Sequence, residues 1–263
     1  MNGLEAFLLG LLQGLTEFLP VSSSGHLVIG KALFGIETQG VAFEVAVHAA
    51  TALSIITVFY KDICRLGKAC FMFRYNEDTR YLLLLLLSMA PVLVVGLFFK
   101  SQVEALFGSG LVLVGAMLLL TSILLLVAQC APSKGFSLKY RDAFVIGLAQ
   151  AVAVLPGLSR SGATIATGLL LGKERSAVVR FSFLMVLVPI LGQAFLDLVQ
   201  GGFSLEASGI SPWSLLVAFA AAYLSGLAAC RWMIALVRKA KLWGFVIYCA
   251  VAGAFCLLYY VLI

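Results

Sequence analysis

Charge is scarce in this sequence. Asp, Glu, Lys and Arg make up 11% of its 263 residues, while 62% are hydrophobic. Soluble domains carry about a quarter charged residues, so no soluble fold of this length could hide so much apolar surface. The six cysteines (Cys64, Cys70, Cys130, Cys230, Cys249 and Cys256) contain no CxxC pair and have no histidine at metal-ligand spacing, which leaves them as structural filler. A basic region before the first apolar stretch is missing too, so that stretch is expected to be retained rather than cleaved. The apolar runs lack the alternation of a membrane β-barrel. The net charge of +6 does not form a contiguous patch; the basic residues lie between apolar segments, which excludes a nucleic-acid partner and points to membrane topology.

What remains is an all-α integral membrane protein, read as a single domain over 1–263. Mean hydropathy is +1.09, and stretches near the roughly 20 apolar residues needed to cross a bilayer lie at about 41–60, 81–99, 109–130, 181–200, 213–233 and 243–263. Two further regions, 3–34 and 141–172, are apolar but broken in the middle by Pro, Gly, Ser and a charge. Each half is short for a full crossing, the pattern of a helix that enters the membrane, breaks and returns. With both regions re-entrant, the basic residues of 61–80, 134–141, 173–180 and 231–241 fall on one side and only Lys31 and Lys100 on the other. The rich side is then cytoplasmic. Three spans follow each hairpin, so the halves, about 1–130 and 141–263, are inverted repeats. A shift of about 137 positions superposes Gly10 on Gly147, Gln13 on Gln150, and Ser22, Ser24 and Gly25 on Ser159, Ser161 and Gly162.

Chemistry concentrates in the two breaks. The first reads QGLTEFLPVSSSGHL from Gln13 to Leu27. Gln13 and Glu17 are four apart and share a helical face, Pro20 ends that helix, and Ser22, Ser23, Ser24, Gly25 and His26 follow. The second reads PGLSRSGAT from Pro156 to Thr164, with Ser159, Arg160, Ser161, Gly162 and Thr164 clustered after the break. Ser and Gly at a helix start offer backbone N–H groups to an anion, and an Arg fork suits phosphate oxygens. An intramembrane Arg costs about 2.5–3.5 kcal/mol on insertion scales, so Arg160 needs a partner: Glu17 in the empty protein, a phosphate when substrate binds. Glu17 and His26 could move protons or hold a hard cation, and the nucleophile is Ser23, His26 or a directly attacking water. The set fits phosphoryl transfer, where positioning and charge stabilisation do most of the catalysis.

These two strings resemble the paired signatures of the undecaprenyl-diphosphate phosphatases, also called bacitracin-resistance phosphatases: an (E/Q)xxxE segment running into a Ser-rich Gly-His loop, and a PGxSRSGxT loop in the second half. The resemblance spans essentially the whole chain. It implies hydrolysis of undecaprenyl diphosphate to the monophosphate carrier of cell-wall synthesis, in the bacterial cytoplasmic (inner) membrane, with the site opening to the outer, periplasmic face. It further implies Mg2+ or Ca2+ as cofactor. By the same resemblance Glu17 is the essential carboxylate, Ser23 and His26 are the nucleophile and acid/base groups, and Arg160 holds phosphate. Ser22, Ser24, Gly25, Ser159, Ser161, Gly162 and Thr164 are the substrate-binding loop positions. Gln13 stands where many members have Glu, leaving Glu17 as the one carboxylate of the first motif to bind metal, with Gln13 beside it. The partners implied are the lipid substrate, the bilayer and, in a homodimer, a second copy.

Outside the loops, Glu44 and His48 are four apart on a spanning segment and read as structural. Tyr248, Tyr259, Tyr260, Trp213 and Trp243 read as interfacial anchors. A second functional class fits the same plan, since inverted repeats with broken helices also build transporters. A transporter of polyprenyl phosphate needs no nucleophile, so Ser23→Ala separates the two.

Overall fold

The computed structural model describes residues 1–34, 42–71, 74–107, 110–132, 134–199 and 209–262. Among them the chain forms helices and one isolated bridge between Phe136 and Lys173, with no strand. In chain order the helices are α1 (Gly3–Phe18), α2 (Ser23–Phe34), α3 (Ala42–Val58), α4 (Tyr60–Phe71), α5 (Glu77–Phe98), α6 (Lys100–Phe107), α7 (Gly110–Cys130), α8 (Tyr140–Val152), α9 (Arg160–Leu170), α10 (Arg175–Val199), α11 (Pro212–Arg238) and α12 (Trp243–Leu262). Local chemistry sets their starts. Asn2 and Glu5 form a reciprocal capping box on α1. Asn76 caps α5 and Ser211 caps α11, where Pro212 occupies the first turn.

Both interrupted regions form helix–break–helix elements. The first break, at Leu19–Ser22, follows from Pro20 and leaves Ser22 at φ 70°. The second carries Pro156 and Gly157, the latter at φ 93°. Both elements turn back on themselves. A Cβ on Gly30 of α2 would lie against Leu12 and Leu9 of α1. Asp142 at the start of α8 pairs with Lys173 just beyond α9 at 2.6 Å, so the second hairpin begins and ends at the same end of the bundle.

Each of the six expected spans falls on a helix: α3, α5, α7, α10, α11 and α12. Four of them (α5, α7, α10 and α11) are long and apolar enough to cross a bilayer by themselves. The 41–60 expectation is shortened: α3 stops at Val58, and the chain bends by 85° into α4. Lys61, Asp62, Arg65 and Lys68 explain the bend, because these side chains end the apolar stretch and α4 is only one-sidedly apolar.

Helix pairings exchange when the halves are swapped. α1 packs on α11 as α8 packs on α5, and α3 packs on α11 as α10 packs on α5. The pairs α3–α10 and α7–α12 map onto themselves. Glycines allow close approach in these pairs. A Cβ on Gly10 would overlap the Ala218 carbonyl of α11, and one on its repeat mate Gly147 would overlap the Ser88 carbonyl of α5. Between α7 and α12, Gly115 and Gly253 face each other's carbonyl oxygens. One end of the bundle gathers the basic loops: Arg180 pairs with Asp62, Arg65 with Asp78 at 3.0 Å, and Arg80 donates to the Leu138 carbonyl at 2.7 Å.

Candidate active site

The two breaks meet inside the bundle. A Cβ on Gly25 would stand 3.1 Å from the Gly157 Cα, so glycine in both loops allows their close approach. Ser161 Oγ donates to the Leu19 carbonyl at 3.2 Å. Ser22 and Ser159 have the same local role. Each hydroxyl accepts from the amide three residues on, Gly25 at 3.3 Å and Gly162 at 3.1 Å, and each lies 3.3 Å from a second serine hydroxyl, Ser24 or Ser161. They start α2 and α9, so two helix N-termini, each the positive end of a dipole, converge from opposite halves.

Glu17 sits where they converge. Arg160 Nη2 donates to Glu17 Oε1 in an ion pair. Ser23 Oγ donates to Oε2 at 2.5 Å, and Gln13 Nε2 donates to the same oxygen at 3.0 Å. The Glu17 side chain is 3% exposed and that of Arg160 is 29% exposed. The carboxylate is thus sealed by its donors, while the guanidinium keeps an open face. A small pocket lined by Glu17, Arg160, Ser161, Ser182, Phe18 and Phe183 adjoins the pair. Thr164 Oγ1 and Ser182 Oγ lie 2.6 Å apart, which ties the second loop to α10. Thr121 of α7 accepts from the Ser159 amide at 3.0 Å and fixes the loop from the other side.

His26 is placed differently from Ser23. Its Nδ1 lies 2.7 Å from the Ser22 carbonyl, which can only accept, so Nδ1 carries the proton and Nε2 is the acceptor nitrogen. Nε2 meets the Tyr248 hydroxyl at 2.6 Å. Ser23 is therefore bonded to a carboxylate and not to the imidazole. His48 is held in the same tautomer by the Glu44 carbonyl at 2.7 Å.

The fit of a divalent cation follows from the donors present. Among the described residues no three His, Cys, Asp or Glu side chains form a metal-binding group. Gln13 Oε1, however, is buried beside Glu17 without a hydrogen-bond partner. One carboxylate and one amide oxygen are hard donors of the kind Mg2+ takes when substrate phosphates complete its shell. The residues fit a cation shared with a diphosphate.

Thr121, Ser182 and Tyr248 escaped sequence reasoning as site residues. Thr121 and Ser182 are single hydroxyls inside apolar spans, and Tyr248 lies 222 positions from its partner; no local pattern marks any of them. The side chain of Tyr260 lies outside the described residues.

Comparison with known proteins matches this arrangement to one family. The family model of bacitracin resistance protein BacA matches residues 6–255. A protein of Bacteroides fragilis named undecaprenyl-diphosphatase is 54% identical over 258 residues, covering 96% of each chain. One of the same name from Bacteroides thetaiotaomicron is 54% identical over 256 residues, covering 96% of this chain and 97% of its own. One from Oceanobacillus iheyensis is 35% identical over 263 residues, covering 96% and 95%. With coverage from residue 6 to residue 255 and both loop motifs inside it, the chain belongs to the bacitracin resistance protein BacA family.

Proposed function

We propose that this membrane protein hydrolyses undecaprenyl diphosphate to undecaprenyl phosphate and inorganic phosphate. It thereby renews the lipid carrier for cell-wall synthesis and confers resistance to bacitracin. The activity is the one named for relatives that share 54% of its residues. The observation that carries it is the Glu17 carboxylate, bridged to Arg160 of the other half and to Ser23 of its own.

In the empty protein the carboxylate is the anion held by Arg160, Ser23 and Gln13. A substrate phosphate approaches the open face of Arg160 and takes its N–H donors. Glu17 Oε1 is then released, and the carboxylate is free to take the Ser23 proton. Ser23 Oγ attacks the terminal phosphorus, the bond to the bridging oxygen breaks, and undecaprenyl phosphate leaves. Ser22, Ser24, Ser159, Ser161 and the amides of Gly25 and Gly162 line the phosphate cradle, and Thr164 braces Arg160 through the Arg160 carbonyl at 2.9 Å. Water then resolves the phosphoserine: its proton passes to His26 Nε2, one helical turn beyond Ser23, its oxygen bonds to phosphorus, the bond from phosphorus to Ser23 Oγ breaks with Glu17 returning the serine proton, and inorganic phosphate leaves as His26 gives its proton to solvent. A Mg2+ or Ca2+ held by Glu17, Gln13 Oε1 and the diphosphate would neutralise phosphate charge.

The charged loops gathered at one end favour that end as cytoplasmic, in the inner membrane. The hairpin of Glu17 and Ser23 then enters from the outer face and opens the site to that side. The test uses purified protein with undecaprenyl diphosphate and Mg2+. Phosphate release is expected from the wild type, with near-complete loss in Arg160→Ala and Ser23→Ala. Wild-type rates in both variants would refute the assignment.

A further inference from the structure

Tyr248 stands at a membrane-facing position on the last helix, yet its hydroxyl points inward. We infer that Tyr248 is a positioning residue for His26, holding the Nδ1–H imidazole with its Nε2 lone pair fixed for proton transfer. This rests on the reading above that His26 moves a proton in the hydrolysis.

Two contacts fix the ring from opposite ends. The Ser22 carbonyl takes the Nδ1 proton at 2.7 Å, and the Tyr248 hydroxyl donates to Nε2 at 2.6 Å. The Tyr248 and His26 rings also stack, with centroids 5.5 Å apart and planes 15° from parallel. Imidazole rotation about its side-chain torsion would break both hydrogen bonds and the stacking together. Without the tyrosine hydroxyl, only the Ser22 bond would orient the ring.

Tyr248 can hold this position because α12 is itself pinned on both sides of it. Ser122 of α7 donates to the Val246 carbonyl at 2.7 Å, and Gln129 binds the Ala240 carbonyl at 2.7 Å and the Leu242 amide at 2.8 Å. On the far side, Gly253 packs so closely on Gly115 that a Cβ there would stand 2.8 Å from the Gly115 oxygen. Next to the tyrosine, Cys249 Sγ lies 3.5 Å from the Pro20 carbonyl in the first loop. The register of α12 against α7 and the loop is thus set within two residues of Tyr248. An interfacial anchor needs none of this: its hydroxyl faces headgroups, whereas this one ends on a buried imidazole.

The test combines a double-mutant cycle with a spectroscopic readout. Tyr248→Phe keeps the ring and removes the hydroxyl. Loss of one hydrogen bond corresponds to about a three- to tenfold fall in kcat, with KM within about twofold. His26→Ala is expected to lose about 100- to 10,000-fold, and Tyr248→Phe should add nothing in that background. Equal fold-losses in both backgrounds would overturn the inference in favour of packing. Because the chain holds only His26 and His48, uniform 15N-histidine labelling gives two ring systems, and His48→Gln assigns them. Wild type should show His26 protonated at Nδ1, with an Nε2 resonance that moves toward a free imine nitrogen in Tyr248→Phe. An unmoved Nε2 resonance would refute the hydrogen bond itself. Wild-type activity in His26→Ala would instead refute the proton-transfer role of His26, leaving the spectrum to decide the positioning.

Discussion

Replacing Glu17 by glutamine should abolish turnover and tighten substrate binding. The structure gives the reason. Arg160 spends one N–H on Glu17 Oε1 in the empty protein, and any phosphate must compete for that donor. Glutamine keeps the shape and can still accept from Ser23 or Gln13, but it removes the charge that holds Arg160. A hydrogen bond to a charged group contributes about 1.5–3 kcal/mol net. Release of that competition corresponds to about a 10- to 150-fold lower Kd at 1.4 kcal/mol per decade. The exposures support reading this on the ligand side. At 29% exposed, Arg160 can be rehydrated when unpaired, whereas Glu17 at 3% cannot, so Glu17→Gln leaves no stranded buried charge. The assay is titration of purified Glu17→Gln with a non-hydrolysable prenyl bisphosphonate in the presence of EDTA. A Kd equal to or weaker than that of wild type would refute the competition. With Mg2+ present the gain should shrink if Glu17 shares a cation with the diphosphate as proposed, since the same substitution removes that carboxylate.

Three further outcomes follow from other parts of the molecule. Gly10→Ala and Gly147→Ala each drive a methyl group into the carbonyl of a facing helix, so each should lower stability by about 1–3 kcal/mol; thermal unfolding in detergent reads this, and an unchanged Tm in either would refute the close packing. Gln13→Glu places a second carboxylate beside Glu17, and the Mg2+ concentration for half-maximal activity should fall by about tenfold, since hard cations gain affinity with ligand charge; an unchanged midpoint would remove Gln13 from the cation's surroundings. Glu174 lies outside the bilayer at the start of α10, where partial burial raises its pKa but the Ser176 hydroxyl, the Ser176 and Ala177 amides and Arg238 hold it below the usual 4.5. A carboxyl lowered on folding contributes stability above its unfolded pKa and loses it as pH falls through the folded one. Below pH 4.5 the Tm of wild type should therefore drop toward that of Glu174→Gln, while above it the wild type should be the more stable; parallel profiles would refute the role of the charge.

Much of the site could be read from sequence because membrane burial constrains which residues are tolerated. Pro20, Pro156 and Gly157 break helices wherever they fall, and Arg160 among apolar residues demands a counter-charge. Those rules led to two loops and an Arg160–Glu17 pair, and the loop charges with the 137-residue match led to the repeat. Two other kinds of information were not local. The turn after Val58 depends on whether α4 finds apolar cover, and its interleaved Lys, Arg and Leu residues do not announce a right angle. The partners of the loops, Thr121, Ser182 and Tyr248, come from spans whose rotation about their own axes is set by packing against other helices. In Tyr248 an anchor and a hydrogen-bond donor look alike until α12 is docked on α7.

The repeat explains why the scaffold is symmetric while the chemistry is not. Superposed at the 137-residue shift, the caps agree (Ser22 with Ser159) and so do the glutamines (Gln13 with Gln150), but the charged positions differ: Glu17 falls on Val154, and Ser23 falls on Arg160. Two identical loops would bring two carboxylates or two guanidiniums to the same buried point. Either would strand like charges at about 2.5–3.5 kcal/mol each on insertion scales, with Coulomb repulsion added. One carboxylate in one loop and one arginine in the other make the cluster neutral when empty. The same division leaves the second half with a buried glutamine that has no carboxylate to bind: both polar atoms of Gln150 lack partners, whereas Gln13 donates to Glu17. The candidate site thus lies at the seam between the halves, where each supplies what the other lacks.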